Sequence, residues 1–184
     1  NSIGIEFFVT GEIVMEPIKY SAIGIIRTPH RSREGTPIQP SGARGVLGRI
    51  ELYEDLREGL KDLEGFSHLI LLYHFHLSEG YELAVKPFLD QTVHGLFSTR
   101  APRRPNALGL SVVRLVSIID GVLVVDGVDM VDGTPLVDIK PFVPDFDVPG
   151  GEIRTGWLER NSERARAIRA DTRFTGDIKL PPES

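Results

Sequence analysis

The sequence predicts a mainly β protein, a small antiparallel β-barrel with short helices and a helical C-terminal addition. Several short apolar runs rich in β-branched residues are bounded by Gly, Pro, Asn and Asp, as antiparallel strands are. The pair Asp120-Gly121 lies between two such runs and is a β-hairpin signal. The sequence shows no strand–helix–strand repeat of a parallel sheet, and several short β segments with few long helices favour a curved sheet or barrel.

The amino-acid composition excludes several classes of protein and of functional site. A chain of 184 residues with 41% hydrophobic residues suits one domain with a small addition. Because cysteine is absent, disulfide scaffolds, thiol nucleophiles and cysteine-based zinc sites are excluded. The net charge of −5 argues against indiscriminate nucleic-acid binding but leaves a local basic patch open. No apolar run reaches the roughly 18 residues of a membrane span, so we expect a cytoplasmic protein without a membrane role.

The chain is expected to divide into three parts. Residues 1–14 precede Met15 and are interpreted as a leader, or as a segment upstream of an alternative start. Residues 15–148 form the predicted barrel domain. Residues 149–184 form a C-terminal extension, with a helix predicted over Trp157–Arg169. Alternating Arg and Glu in that helix are typical of a solvated face, and contact with an RNA backbone is the alternative.

The first half of the barrel domain reads as strands joined by one long loop and one helix. A strand is predicted over 19–28, a polar loop rich in Gly and Pro over 29–48, and a second strand over 46–53. Leucines at helical spacing predict a short amphipathic helix within 55–63.

The next run, 67–77, predicts a buried strand that places several histidines on one face. Metal binding was considered, but no nearby carboxylate completes a ligand set, and His68 and His74 are about 20 Å apart along a strand. We expect no metal and interpret the histidines as hydrogen-bonding or pocket-lining groups.

A charged loop with a defined backbone path is predicted after a strand over 94–100. The stretch FSTRAPRRPNALGLS, residues 97–111, combines proline and glycine, which fix or free the backbone, with arginine. Its arginines are Arg100, Arg103 and Arg104. A rigid loop with this charge is suited to an anion or a polar ligand, and a surface turn with solvated arginines is the alternative.

A second polar motif, DMVDGTPLVDIKPF, covers residues 129–142 after a predicted hairpin of runs 110–120 and 121–130. Asp129, Asp132 and Asp138 surround its Gly-Thr-Pro turn. Such side chains often satisfy the backbone donors of a turn. The same turn could instead offer carboxylates and N–H groups to a ligand.

Five motifs in matching order resemble the TsaA-like, or TrmO, family of tRNA methyltransferases. They are IGIIRTP at 23–29, PIQP at 37–40, GFSHLILL at 65–72 and the two motifs just described, so the resemblance covers about residues 20–147. Two of the motifs depart from the family pattern. Phe142 stands where many members have tyrosine, so a tyrosine hydroxyl at that position is not essential here, and RPNALG replaces R-P-N-P-I-G.

The resemblance implies a homodimeric S-adenosylmethionine enzyme built on a β-barrel. Its expected reaction is methylation of N6 of N6-threonylcarbamoyladenosine, beside the anticodon of tRNA. The family's cofactor-contacting segments correspond to Ile38, Gln39, Pro40, His76, Leu77, Arg100, Leu110, Asp129, Met130, Val131 and Asp132.

The chemistry of the cofactor suits these residues. Arg100 can pair with its carboxylate, and Asp129 and Asp132 with its ammonium or hydroxyl groups. We expect Arg103 and Arg104 to face the tRNA. The base that removes the N6 proton is left open among three candidates, Asp132, Asp138 and His76. A module that senses the cofactor or binds RNA without catalysis is the alternative function.

Overall fold

The structure is a computed structural model that describes residues 17–159 and 162–174. The segment interpreted as a leader therefore lies outside the described residues. The described chain is mainly β with few short helices, as predicted. Its strands are β1 (Gly24–Arg27), β2 (Leu47–Leu52), β3 (His68–His74), β4 (Ala84–Val85), β5 (His94–Gly95), β6 (Leu108–Ile119), β7 (Val122–Asp126) and β8 (Thr134–Pro141). One short helix, α1 (Pro144–Asp147), follows β8.

Six strands pair in the order β1-β2-β7-β6-β3-β8, and β8 returns to β1, which gives a closed barrel. All of these pairs are antiparallel. Strands β4 and β5 form a separate two-stranded sheet. Because a closed sheet leaves no unpaired edge, ligand-binding groups must come from strand ends and connecting loops.

The barrel core follows from strand alternation. On β3, the inward residues Leu69, Leu71 and Tyr73 are buried, whereas Ile70 and Leu72 between them are only partly buried. The same alternation on the other strands fills the barrel with branched aliphatic side chains. Those that are almost wholly inaccessible are Ile26, Ile50, Leu69, Leu71, Val113, Leu123, Val125 and Leu136.

The predicted hairpin is confirmed. Strands β6 and β7 pair directly, with Ile119 opposite Val122. Asp120 and Gly121 between them have φ values of 51° and 77°, in the left-handed region that this Asp-Gly pair tolerates.

Two predicted elements of the barrel domain differ from the structure. The helix predicted within 55–63 is a 3-10 helix, Glu54–Leu60, and the left-handed Asp62 (φ 67°) separates it from a second 3-10 turn, Leu63–Gly65. The strand predicted over 94–100 ends at Gly95 and continues as a 3-10 turn. There the hydroxyl of Thr99 donates to the carbonyl of Leu96 and closes the turn locally.

The C-terminal helix predicted over Trp157–Arg169 is also wrong. The described part of this segment forms 3-10 turns at Gly156–Leu158 and Ser162–Arg166. Its own backbone bonds are those of short turns, such as Ala167 N to Arg164 O, and directly after it Ala170 pairs with the loop after β1 through Gly35 N to Ala170 O (2.9 Å) and Ala170 N to Thr36 O (2.8 Å). Tertiary contact therefore overrides the helix propensity of this stretch.

Among the described residues, no helix is long and apolar enough to span a bilayer.

Candidate functional site

A cavity of about 1020 Å³ lies where the long loops and the C-terminal segment meet the end of the barrel. All of the predicted cofactor residues except Asp132 line it: Ile38, Gln39, Pro40, His76, Leu77, Arg100, Leu110, Asp129, Met130 and Val131. These residues come from five separate parts of the chain. The fold therefore brings together groups that the sequence could relate only through a family resemblance.

Arg100 and Gln39 connect two of these parts directly. Arg100 Nη1 donates a hydrogen bond of 3.1 Å to Gln39 Oε1, which fixes the loop of 97–111 against the loop after β1. The pair is solvent-exposed, so both polar groups remain available to a ligand at the cavity surface. A guanidinium in this setting is suited to a carboxylate, which it can bind with two parallel hydrogen bonds.

The other two arginines of this loop, Arg103 and Arg104, are expected to face the tRNA. Both are partly buried in the structure. Arg104 is partly buried, lines the cavity and donates to the carbonyls of Thr99 (3.1 Å) and Ala101 (3.4 Å), with its guanidinium 5.8 Å from the Phe97 ring centroid. Arg103 lines a second cavity of about 520 Å³. Arg104 thus braces the shape of the loop.

Asp129 stands at the end of a hydrogen-bond chain in the cavity wall. Tyr73 OH lies 3.0 Å from Ser111 Oγ, and Ser111 Oγ donates to Asp129 Oδ1 at 2.7 Å, so the tyrosine hydroxyl is the donor to serine. Burial raises the pKa of Asp129 to about 7, against the lowering effects of the Ser111 hydrogen bond and the Arg100 charge. Burial, and then the charge of Asp129, raises the pKa of Tyr73 above its usual range.

Sequence reasoning missed Tyr73 and Ser111. Both are polar residues at inward positions of barrel strands, where the alternation otherwise places aliphatic residues. That mismatch is the signal that could have identified them.

His76 is held as a neutral imidazole. Thr134 Oγ1 donates its single proton to Val131 O at 2.7 Å, so His76 Nδ1, 3.4 Å away, is the donor in its contact with Thr134. Burial lowers the pKa of His76, and electrostatic interactions with His74 and Arg33 lower it further. The Nε2 atom is left as the acceptor of the ring.

Asp132 and Asp138 are engaged outside the cavity. Asp132 Oδ1 accepts from Thr28 N at 3.0 Å, and its Oδ2 pairs with Arg31. This carboxylate ties the end of β1 to the turn before β8, so its backbone donor comes from a distant strand end and not from its own turn. Asp138 pairs with Lys140 on the same strand at 2.7 Å. Of the three candidate bases, His76 is therefore the one that lines the cavity.

The C-terminal extension supplies one wall of the cavity. Trp157 Nε1 donates to Ser98 O at 2.9 Å, and its ring stacks on His94 with 4.5 Å between centroids. Farther along, Phe174 is buried in a second apolar cluster with Val85, Leu96 and Ala101. No group of three or more His, Cys, Asp or Glu within 17–159 and 162–174 could hold a metal ion.

Residues 25–148 match the family model described as tRNA-methyltransferase O N-terminal domain. The chain belongs to the TrmO family. A structural neighbour in this family is the crystal structure of TrmO from Pseudomonas aeruginosa, with a TM-score of 0.64 and 37% identity. The alignment covers 77% of this chain and 63% of the Pseudomonas TrmO chain.

Curated TrmO relatives have two kinds of name. A probable S-adenosyl-L-methionine-binding protein of Pyrococcus abyssi is 48% identical over 157 residues, which is 85% of each chain. The human tRNA (adenine(37)-N6)-methyltransferase is 35% identical over 147 residues, 76% of this chain and 32% of the human protein. This TrmO-family chain thus spans about a third of the human relative and less than two thirds of the Pseudomonas TrmO chain.

Proposed function

We propose that this protein transfers a methyl group from S-adenosylmethionine to N6 of N6-threonylcarbamoyladenosine, beside the anticodon of tRNA. The observation that carries the proposal is the convergence of Gln39, Arg100 and Asp129 on one cavity. Relatives named as tRNA (adenine(37)-N6)-methyltransferases and as S-adenosyl-L-methionine-binding proteins support it.

The residues of the cavity fit the cofactor. Arg100 provides a cation for its carboxylate, and Asp129 provides a carboxylate for its ammonium or ribose hydroxyl groups. The apolar side chains Ile38, Leu77 and Leu110 provide walls for the adenine and the methylthio chain. Asp132, which does not line the cavity, is proposed to act through the turn that carries Met130 and Val131.

The transfer step requires positioning and the loss of one proton. S-adenosylmethionine supplies an electrophilic methyl group, so its S–CH3 bond breaks as the N6–CH3 bond forms. The N6 lone pair is delocalised into the carbamoyl group, and removal of the N6 proton makes this nitrogen a better nucleophile. His76 Nε2, a free acceptor on a neutral imidazole, is the proposed recipient of that proton.

The proposed domain plan assigns catalysis to the barrel domain, residues 15–148. The extension, residues 149–184, completes the cavity through Trp157, Leu158, Ala165 and Phe174. We place the reaction in the cytoplasm together with its tRNA substrate.

We propose that the protein works as a homodimer through the outer face of β3 and β6. Leu108 and Leu110 on this face are 41% and 48% exposed, and Leu72 pairs with Leu110 in the sheet. Leu110 also lines the cavity, so a second copy on this face would adjoin the bound cofactor. Light scattering on the wild type and on Leu108→Asp tests this: a dimer that becomes a monomer is expected, and a monomeric wild type rejects it.

Methyl transfer from labelled S-adenosylmethionine tests the proposed reaction. Label is expected in tRNA that carries threonylcarbamoyladenosine and is not expected in the same tRNA without that modification. A His76→Ala variant should bind the cofactor and transfer slowly. If the protein binds the cofactor and never labels either tRNA, a cofactor-sensing or RNA-binding module without catalysis is the better interpretation.

A further inference from the structure

Three arginines line the cavity, and they differ in their hydrogen-bond partners. Arg100 donates to Gln39, and Arg104 donates to two carbonyls of its own loop. Arg33 Nη1 donates to the carbonyl of Phe174 at 2.7 Å, whereas its Nη2 is buried without a hydrogen-bond partner in the described structure. Since buried donors are nearly always paired, this unpaired N–H group indicates a missing acceptor at the cavity wall.

The arginines that line the cavity outnumber its carboxylates. None of the three lining arginines forms an ion pair within the described residues. The carboxylates that line the cavity belong to Asp129 and Asp171. Bound S-adenosylmethionine brings a sulfonium and an ammonium against one carboxylate, so it adds positive charge. The second ligand of this cavity must therefore be anionic.

Arg33 and the proposed proton acceptor His76 line the same cavity. The charge of Arg33 is one cause of the lowered pKa of His76, after burial and His74. Burial lowers the pKa of Arg33 itself, with Arg103 as the next cause. An anion beside Arg33 would offset this unfavourable burial and would lie near the reacting N6.

We propose that Arg33 binds the carboxylate of the threonylcarbamoyl group and so selects the modified adenosine as substrate. The inference rests on the proposed function and adds the residue that reads the modification. The carboxylate is attached to N6 through a short chain, so it enters the cavity together with the reacting atom. A guanidinium can bind a carboxylate or a phosphate with two parallel hydrogen bonds, and the carboxylate is favoured here because it is carried on the reacting base itself.

Two synthetic anticodon stem-loop RNAs test the proposal. One carries threonylcarbamoyladenosine, and the other carries the same group with its carboxylate converted to a carboxamide. Binding of each RNA to the full chain is measured by fluorescence anisotropy with S-adenosylhomocysteine present. The wild type is expected to prefer the carboxylate RNA by about tenfold, the size of one charge-assisted hydrogen bond. Arg33→Gln should reduce this preference to about twofold or less, because it weakens binding of the carboxylate RNA and leaves binding of the carboxamide RNA unchanged.

Arg49→Gln is the matched control because Arg49 on β2 is 66% exposed and does not line the cavity. It should retain the full preference. Arg33→Lys keeps the charge and should retain part of the preference, so it provides the test if Arg33→Gln fails to fold. An undiminished preference in Arg33→Gln overturns the proposal. So does an equal loss for both RNAs that disappears at high salt, which would indicate a phosphate contact.

The proposal and the proposed function can fail separately. If neither RNA is methylated while the carboxylate RNA is still preferred through Arg33, the function is rejected and the binding role stands. If methyl transfer occurs and Arg33→Gln keeps the preference for the carboxylate RNA, the proposed function stands and the role of Arg33 is rejected. A preserved preference together with weaker cofactor binding in Arg33→Gln would assign Arg33 to the cofactor and overturn the inference.

Discussion

Ser111 Oγ donates a hydrogen bond of 2.7 Å to Asp129 Oδ1 in the wall of the cavity. The serine belongs to the end of the arginine loop motif and the aspartate to the motif before β8, so one bond joins the two most polar stretches of the chain. Because burial raises the pKa of Asp129 to about 7, the charge of this site changes near neutral pH. Its electrostatics can therefore be tested by titration.

Cofactor affinity should increase between pH 6 and pH 8. Below its raised pKa, Asp129 is largely neutral and attracts an ammonium group weakly; above it, the carboxylate is charged. We expect an increase of roughly tenfold, the size of one charge-assisted hydrogen bond. Calorimetry at several pH values measures it, and Asp129→Asn should give a flat profile. His76, whose pKa is lowered, is present in both proteins, so the difference between the two profiles isolates Asp129. An unchanged slope in Asp129→Asn would contradict the assignment.

Arg100→Ala should weaken binding of S-adenosylmethionine by about 1.5–3 kcal/mol, because the cofactor carboxylate loses a charge-assisted pair. Isothermal titration calorimetry gives the affinity directly. Arg49→Ala removes an exposed arginine outside the cavity and should leave the affinity unchanged. Equal affinities of Arg100→Ala and the wild type would remove Arg100 from the cofactor site.

Gly109→Ala should destabilise the barrel beside the site. A Cβ at Gly109 would lie 2.2 Å from Tyr73 Cε2 and 2.9 Å from Phe75 Cζ, so both rings must move. We expect a loss of about 1–3 kcal/mol in the free energy of unfolding, measured in denaturant, together with weaker cofactor binding. Gly150→Ala is the control, because nothing lies within 4 Å of its Cβ position. Matching unfolding curves for the two variants would contradict the predicted packing.

Asp132→Ala should affect stability more than catalysis. Thr28 N loses its acceptor and Arg31 its partner, which predicts a loss of about 1–3 kcal/mol in unfolding free energy. Methyl transfer measured well below the melting temperature should fall less than in His76→Ala. A stable Asp132→Ala protein with abolished transfer would return Asp132 to the candidate bases.

Several strands were predictable because their signals are local, whereas the predicted cofactor residues came from the family resemblance. The alternation of apolar residues and the Asp120-Gly121 turn specify β6 and β7 without reference to the rest of the chain. The cofactor set followed from five motifs in order, and the cavity contains all of it except Asp132.

The remaining features depend on contacts between distant parts of the chain. The segment 157–169 has a helical charge pattern, but its described part forms short 3-10 turns, and Ala170 directly after it pairs with the loop after β1. In the sequence, nothing distinguishes Arg33 from the other polar residues of its loop. Its contact with Phe174 is visible only in the structure. Burial of this kind arises only from tertiary structure, so a pattern along the sequence does not report it.

The contact between Arg33 and Phe174 also has a consequence for synthesis of the chain. Phe174 packs with Val85, Leu96 and Ala101, so the cavity wall joins residues that are made early to residues that are made late. On the ribosome, the barrel strands emerge before this wall can close. A nascent chain whose β8 has left the exit tunnel therefore has every barrel strand, but its cavity wall is complete only after Phe174 has emerged as well.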